Sequence, residues 1–132
     1  MFADNMLAVL SVAFPDVCKI LVVLVPTPVP LVNIMLSTAR LPMVPNVILG
    51  GAMAQNLFGT AVVSLGDEAG FLLGVVSQLV GAQGRPVEGS IKLFLACAPA
   101  TRMTGITAQN GLLPNAVGVT LTPGQIRVVV LV

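Results

Sequence analysis

Apolar residues in this chain come in short runs separated by turn-forming Pro, Gly and Asp, a pattern that predicts strands and tight corners. The strongest run, Ile91-Lys92-Leu93-Phe94-Leu95, fits a pleated surface buried on most sides. It leads to Pro99, which fixes its own φ and removes a ladder donor, so the strand is expected to stop before Pro99 and turn a corner. A gap-free echo lies 46 residues earlier: residues 47–57 (VILGGAMAQNL) run parallel to residues 93–103 (LFLACAPATRM). A third strand is predicted over residues 125–131 (QIRVVVL). Three related strands imply a body with threefold character.

The remaining runs agree with an all-β body. Residues 20–25 read as a strand, followed by Pro26-Thr27-Pro28-Val29-Pro30, an extended strap with no ladder on its proline side. Phe14-Pro15-Asp16-Val17-Cys18 reads as a turn, residues 33–40 as a turn of helix, and residues 1–12 as too short for an element of their own. Gly66-Asp67-Glu68-Ala69-Gly70 is a turn whose adjacent carboxylates point to opposite faces, which suits solvation or capping rather than shared acid–base work. Residues 81–89 form a Gly/Pro-rich loop, and residues 105–118, with Asn110-Gly111 and Pro114-Asn115, read as an irregular but packed loop.

Length predicts a single domain over residues 1–132, large enough for a real core. Charged residues are only 8% and mean hydropathy is +1.02, so the surface must expose much apolar area and calls for a partner. The net charge is +1 with the cations scattered singly, which argues against an electrostatic footprint for nucleic acid or for an anionic membrane. Residues 20–39 and 41–66 lack charge over a membrane-spanning length, but Pro26, Pro28 and Pro30 interrupt the first, and Pro42, Pro45, Gly50, Gly51 and Gly59 the second. No stable membrane insertion is expected, and a small hydrophobic membrane-associated protein is the alternative. The start, with Asp4 and no basic residue, does not resemble a secretory leader, so synthesis and folding in the cytosol are expected. Cys18 and Cys97 form no CxxC unit and are expected to be buried, inert thiols, with a disulfide between them left open.

The chain has no histidine, which removes the commonest general base and metal ligand together. Neither a phosphate-binding GxxxxGK[ST] loop nor GxGxxG is present. The expectation is a protein that is no enzyme and has no cofactor, catalytic residue or metal site. Arg102, inside a nearly charge-free body, is expected to be held by carbonyls or a carboxylate, its replacement by Ala costing a few kcal/mol, as for a lost buried charge partner.

Phe14 to Cys18, the strap with Asn33-Ile34, Gly66 to Gly70 followed by Gly74-Val75-Val76-Ser77, Pro99-Ala100-Thr101-Arg102, and Gln109-Asn110 with Asn115-Ala116 come in order over nearly the whole chain. Together they resemble the PAAR-like domain family, spike-tip proteins of the bacterial type VI secretion system. The resemblance implies a mainly β, small, compact, cone-like module that caps and sharpens a trimeric VgrG needle, one copy per trimer, and recruits or helps load an effector. Its structural motif residues are Pro99, Ala100, Thr101, Arg102, Gly66 and Asp67. It also implies assembly in the bacterial cytoplasm and export to the extracellular space or target cell on firing. Family members proper hold a tip zinc with histidines and a cysteine; with no histidine here that site does not transfer, and a metal-free tip is implied. No toxin extension is expected, so an effector or its adaptor is a separate chain. The edges expected to face the needle carry Val47, Leu49, Ile91, Leu93, Ile126, Val128 and Val130.

Overall fold

The computed structural model describes residues 1–132, and apart from one 3₁₀ turn at Ser37–Ala39 its regular structure is all strand. In chain order the strands are β1 (Leu10–Val22), β2 (Val25–Leu36), β3 (Arg40–Leu41), β4 (Val44–Leu49), β5 (Ala52–Ala54), β6 (Thr60–Ala61), β7 (Arg85–Pro86), β8 (Phe94–Leu95), β9 (Ala98–Pro99), β10 (Ile106–Gln109) and β11 (Ala116–Thr120). Five make one antiparallel sheet in the order β2-β1-β11-β10-β7, and the rest pair as β3 with β6, β4 with β5 and β8 with β9.

The long β1–β2 hairpin absorbs the proline strap. Pro26, Pro28 and Pro30 stand opposite Leu21, Lys19 and Val17, on the outermost strand of the sheet. Alternate residues share one backbone direction, so the three missing N–H groups all fall on the outer edge and the ladder to β1 loses nothing. Phe14 to Cys18 is not a turn. It lies inside β1 as an irregularity between Ala13 and Asp16, where Pro15 supplies no donor and the register slips.

The sheet is reversed in polarity. Its buried side carries Ser11, Ala13, Asn33, Met35, Thr107, Gln109, Ala116 and Thr120, with the Ser11 and Thr120 hydroxyls bonded at 3.0 Å. Its outer side carries Phe14, Ile106 and Val117, all exposed. In the whole molecule eighteen buried residues are polar or charged against fourteen hydrophobic ones, eight of the latter alanine. Hydrogen bonding therefore fills the role that aliphatic packing fills in most cores.

The rest of the chain is built around three corners. The two echoing segments fold into equivalent hairpins, Ile48 and Leu49 pairing with Met53 and Ala52 as Phe94 and Leu95 pair with Pro99 and Ala98. Gly50-Gly51 and Ala96-Cys97 make their turns, all four at positive φ. The third corner joins the two ends of the chain: Val129 bridges Phe2, and the Val130 N–H donates to the Met1 carbonyl at 2.6 Å. The returning segments then bond in a closed cycle. Asp4 N–H donates to Thr101, Thr101 to Gln55 and Gln55 back to Asp4, at 3.0, 3.3 and 3.2 Å. A second cycle links Met6 to Met53, Leu57 to Pro99 and Met103 to Phe2 at 2.9, 2.9 and 2.8 Å. Bridges Ala3–Arg102, Asn5–Ala54 and Asn56–Ala100 repeat the same order. The threefold character is thus a ring of three Ala-polar-Asn/Arg segments.

Four further expectations need correction. The 91–99 corner turns at Ala96-Cys97, and Pro99 sits in the return strand opposite Phe94 at a non-hydrogen-bonded position, so its missing donor costs the hairpin nothing while the next residue, Ala100, donates to the Leu93 carbonyl at 2.9 Å. Residues 125–131 form no sheet strand, because the Gln125 side-chain oxygen accepts the N–H groups of Arg127 and Val128 at 2.7 Å each and curls the backbone where a strand would begin. Residues 33–36 belong to β2 and only Ser37–Ala39 is helical. The stretch read as an irregular loop after Gly105 contains β10 and β11, paired as a hairpin whose turn holds Asn110-Gly111.

Candidate functional site

At the ring, strand alternation sorts the expected edge residues. Val47, Leu49 and Leu93 pack against a small cluster of Val44, Ala54, Leu95 and Ala100, Val128 is half-buried, and Val130 is buried. Ile91 and Ile126 are exposed. The side chains that face outward from the three corners are their neighbours Ile48, Phe94 and Val129, equivalent to one another and all exposed. Because the side-chain period of a strand is two, a reading one residue off selects the inner row.

Asn5 and Asn56 lock two corners alike. Their amide nitrogens donate to the Leu49 and Leu95 carbonyls at 2.7 and 3.0 Å, and their oxygens accept the N–H two residues on. Arg102 holds the third equivalent position and instead pairs with the Glu88 carboxylate. Of its motif companions, Pro99 lies in β9, Ala100 packs in the cluster, and Thr101 belongs to the inner cycle.

Inside the ring lies the ion pair that the sequence reading missed. Arg40 touches all three residues of the inner cycle: its guanidinium is 3.8 Å from Asp4 and donates to the Thr101 hydroxyl at 3.4 Å, and its carbonyl accepts from the Gln55 amide at 3.5 Å. It also donates to the Gly59 and Asn56 carbonyls. Neither Asp4 oxygen accepts a hydrogen bond. Burial lifts the Asp4 carboxyl to about 6 against the opposing pull of Arg40, and burial lowers Arg40 to about 10.

The second polar centre lies where β1 meets the 66–81 segment and the β10–β11 turn. Gly66 has φ +116 and packs against the Val32 carbonyl, where no side chain would fit. Asp67 is not a solvated turn residue: it is fully buried, its oxygens accepting the Gly81 N–H at 3.1 Å and the Asn110 amide at 2.6 Å. Glu68 alone faces outward, accepting from Gly66 N–H. Asp16 is also fully buried and accepts from Asn33 at 2.7 Å, from Asn110 at 3.2 Å and from Asn115. Burial raises the Asp67 carboxyl, with the Asp16 charge adding to the shift. Burial and the Asp16 and Asp67 charges push the Cys18 thiol up to about 12. Cys97 is exposed at its hairpin turn and both thiols are free, so the expectation of two buried cysteines holds for Cys18 alone.

Asp16, Cys18 and Asp67 bring one thiol and two carboxylates within 4.8 Å. They do not fit a zinc centre built on histidines. Three asparagine amides aim their N–H groups at Asp16 and one of them also at Asp67, so lone pairs a metal would need already hold protein donors. The arrangement is an amide cage around buried carboxylates.

The family model for the toxin PAAR-like domain matches residues 9–118. That stretch contains the polar centre and both closed corners, while the third corner lies outside it. No curated protein and no solved structure matches the chain.

Proposed function

The chain belongs to the toxin PAAR-like domain family, and on that premise we propose that it is a structural tip that caps a trimeric VgrG-like needle of a bacterial type VI secretion system. One copy sits on one trimer and recruits an effector or its adaptor. Its role is mechanical and not catalytic. It assembles in the bacterial cytoplasm and leaves the cell on firing.

The observation that carries this reading is the closed hydrogen-bond ring with its three equivalent corners. A single polypeptide with three similar edges can meet three identical subunits without itself being a trimer. Ile48, Phe94 and Val129 supply an exposed apolar side chain at each corner, a suitable contact set for a threefold end face. Ile48→Asp, Phe94→Asp and Val129→Asp should each reduce co-purification with the needle, and to a similar degree. Retention of the complex by all three variants, with native-like melting, would contradict the reading.

A further inference from the structure

The β1–β2 ribbon ends in the turn Val23-Leu24, and every side chain from Leu21 to Val25 is exposed, Val23 at 90% and Leu24 at 86%. Their φ values, +48 and +67, are those of a two-residue hairpin turn, where Asn-Gly is favoured and a β-branched residue is strained. The Gly50-Gly51 corner meets the same requirement with glycines. The ribbon keeps two aliphatic residues at its outermost point against the local preference.

Successive strand residues point to opposite faces, so five consecutive exposed aliphatic residues make the ribbon apolar on both faces and at its end. A protein groove covers one face; a medium apolar in every direction covers both. The backbone fits such a medium as well. An unpaired N–H in hydrocarbon costs several kcal/mol, and along the outer edge of β2 prolines 26, 28 and 30 remove those donors. The same prolines deny a partner strand the donors it would need. Lys19 lies four residues before Val23, about 13 Å along a strand, close to one leaflet of a ~30 Å hydrocarbon core. No acidic residue occurs between Asp16, which is buried, and Asp67. No helix of the molecule is long and apolar enough to cross a membrane, and none is required.

We propose that this hairpin tip is a lipid-binding loop that enters the acyl region of one leaflet reversibly, with the Lys19 amine at the level of anionic headgroups. The assignment does not depend on the needle reading. The chain has no Trp and no Tyr, so a Leu24→Trp variant of the full chain carries a background-free reporter. With vesicles of phosphatidylcholine and phosphatidylglycerol its emission should shift to the blue and be quenched by lipids brominated in the acyl chains. A Leu131→Trp control, equally exposed near the ring, should do neither. Equal shifts at both positions would mean general adsorption, a concentration-dependent shift without vesicles would mean self-association, and no shift would mean no lipid contact; each overturns the proposal. The double variant Val23→Asn, Leu24→Gly suits the turn better and should match or exceed the melting temperature of the parent chain. It should lose vesicle affinity by at least about tenfold, the loss expected from withdrawing one aliphatic side chain. Unchanged vesicle binding by that folded variant also overturns it.

Discussion

Two arginines separate what is costly from what is incidental. Arg102 is 17% exposed and its Glu88 partner 40%, so the pair is screened by solvent. Arg102→Ala should cost only about 0–1 kcal/mol, less than the sequence reading expected. Arg40→Met leaves Asp4 buried without its partner and should cost about 3–5 kcal/mol, measured by chemical denaturation. The Asp4 carboxyl, raised to about 6, adds a pH signature. The folded state holds a proton there that the unfolded chain releases near its ordinary value of 3.8, so this group's contribution to stability is greatest below about 4 and is lost as pH rises through about 6. The raised Asp67 acts in the same direction. Melting temperatures should therefore fall between pH 4 and 6, and Asp4→Asn should flatten that slope; a slope unchanged by the substitution would remove Asp4 as its source. Thiol titration of the native protein should find one reactive cysteine, Cys97, and a second only in denaturant, because Cys18 is buried and held protonated.

At the scale of elements, the 46-residue echo was legible because both copies carry the same hairpin, matched residue for residue through the turn. The third copy was not, since its strands come from opposite ends of the chain and no linear comparison joins Phe2 to Val129. A trace was present: Ala3-Asp4-Asn5-Met6, Ala54-Gln55-Asn56-Leu57 and Ala100-Thr101-Arg102-Met103 share one pattern. The β10–β11 hairpin was missed because its inward residues are Thr, Gln and Ala, the reverse of the apolar-inward alternation by which strands are recognised. The echo also shows where stability was left aside. Ala96 and Cys97 hold φ of +50 and +63, where Gly50 and Gly51 stand in the sister hairpin. Replacing Ala96-Cys97 by Asn-Gly should stabilise the fold by about 1 kcal/mol, raising the melting temperature by a few degrees. A lower melting temperature would mean that those side chains contribute more than their strain costs.

In the whole molecule, low charge and high hydropathy pointed to an exposed apolar surface, and the structure adds that the interior is correspondingly polar. Stretches quoted for the family resemblance meet there: Asp16 and Cys18, Asn33, Asp67, Asn110 and Asn115 come from separate motifs and form one amide cage. Sequence alone left them as turn and loop residues, because the usual prior sends Asp and Asn to the surface. Besides this centre the chain presents two specialised features, the ring with its three corners and the aliphatic hairpin tip. The ring is the claim on which the functional account stands, and its most direct test is stoichiometry. Native mass spectrometry of the chain co-expressed with a trimeric VgrG-like needle should give three needle subunits and a single copy of this protein. Three copies per trimer, or a folded chain that stays apart from the needle, would contradict the account.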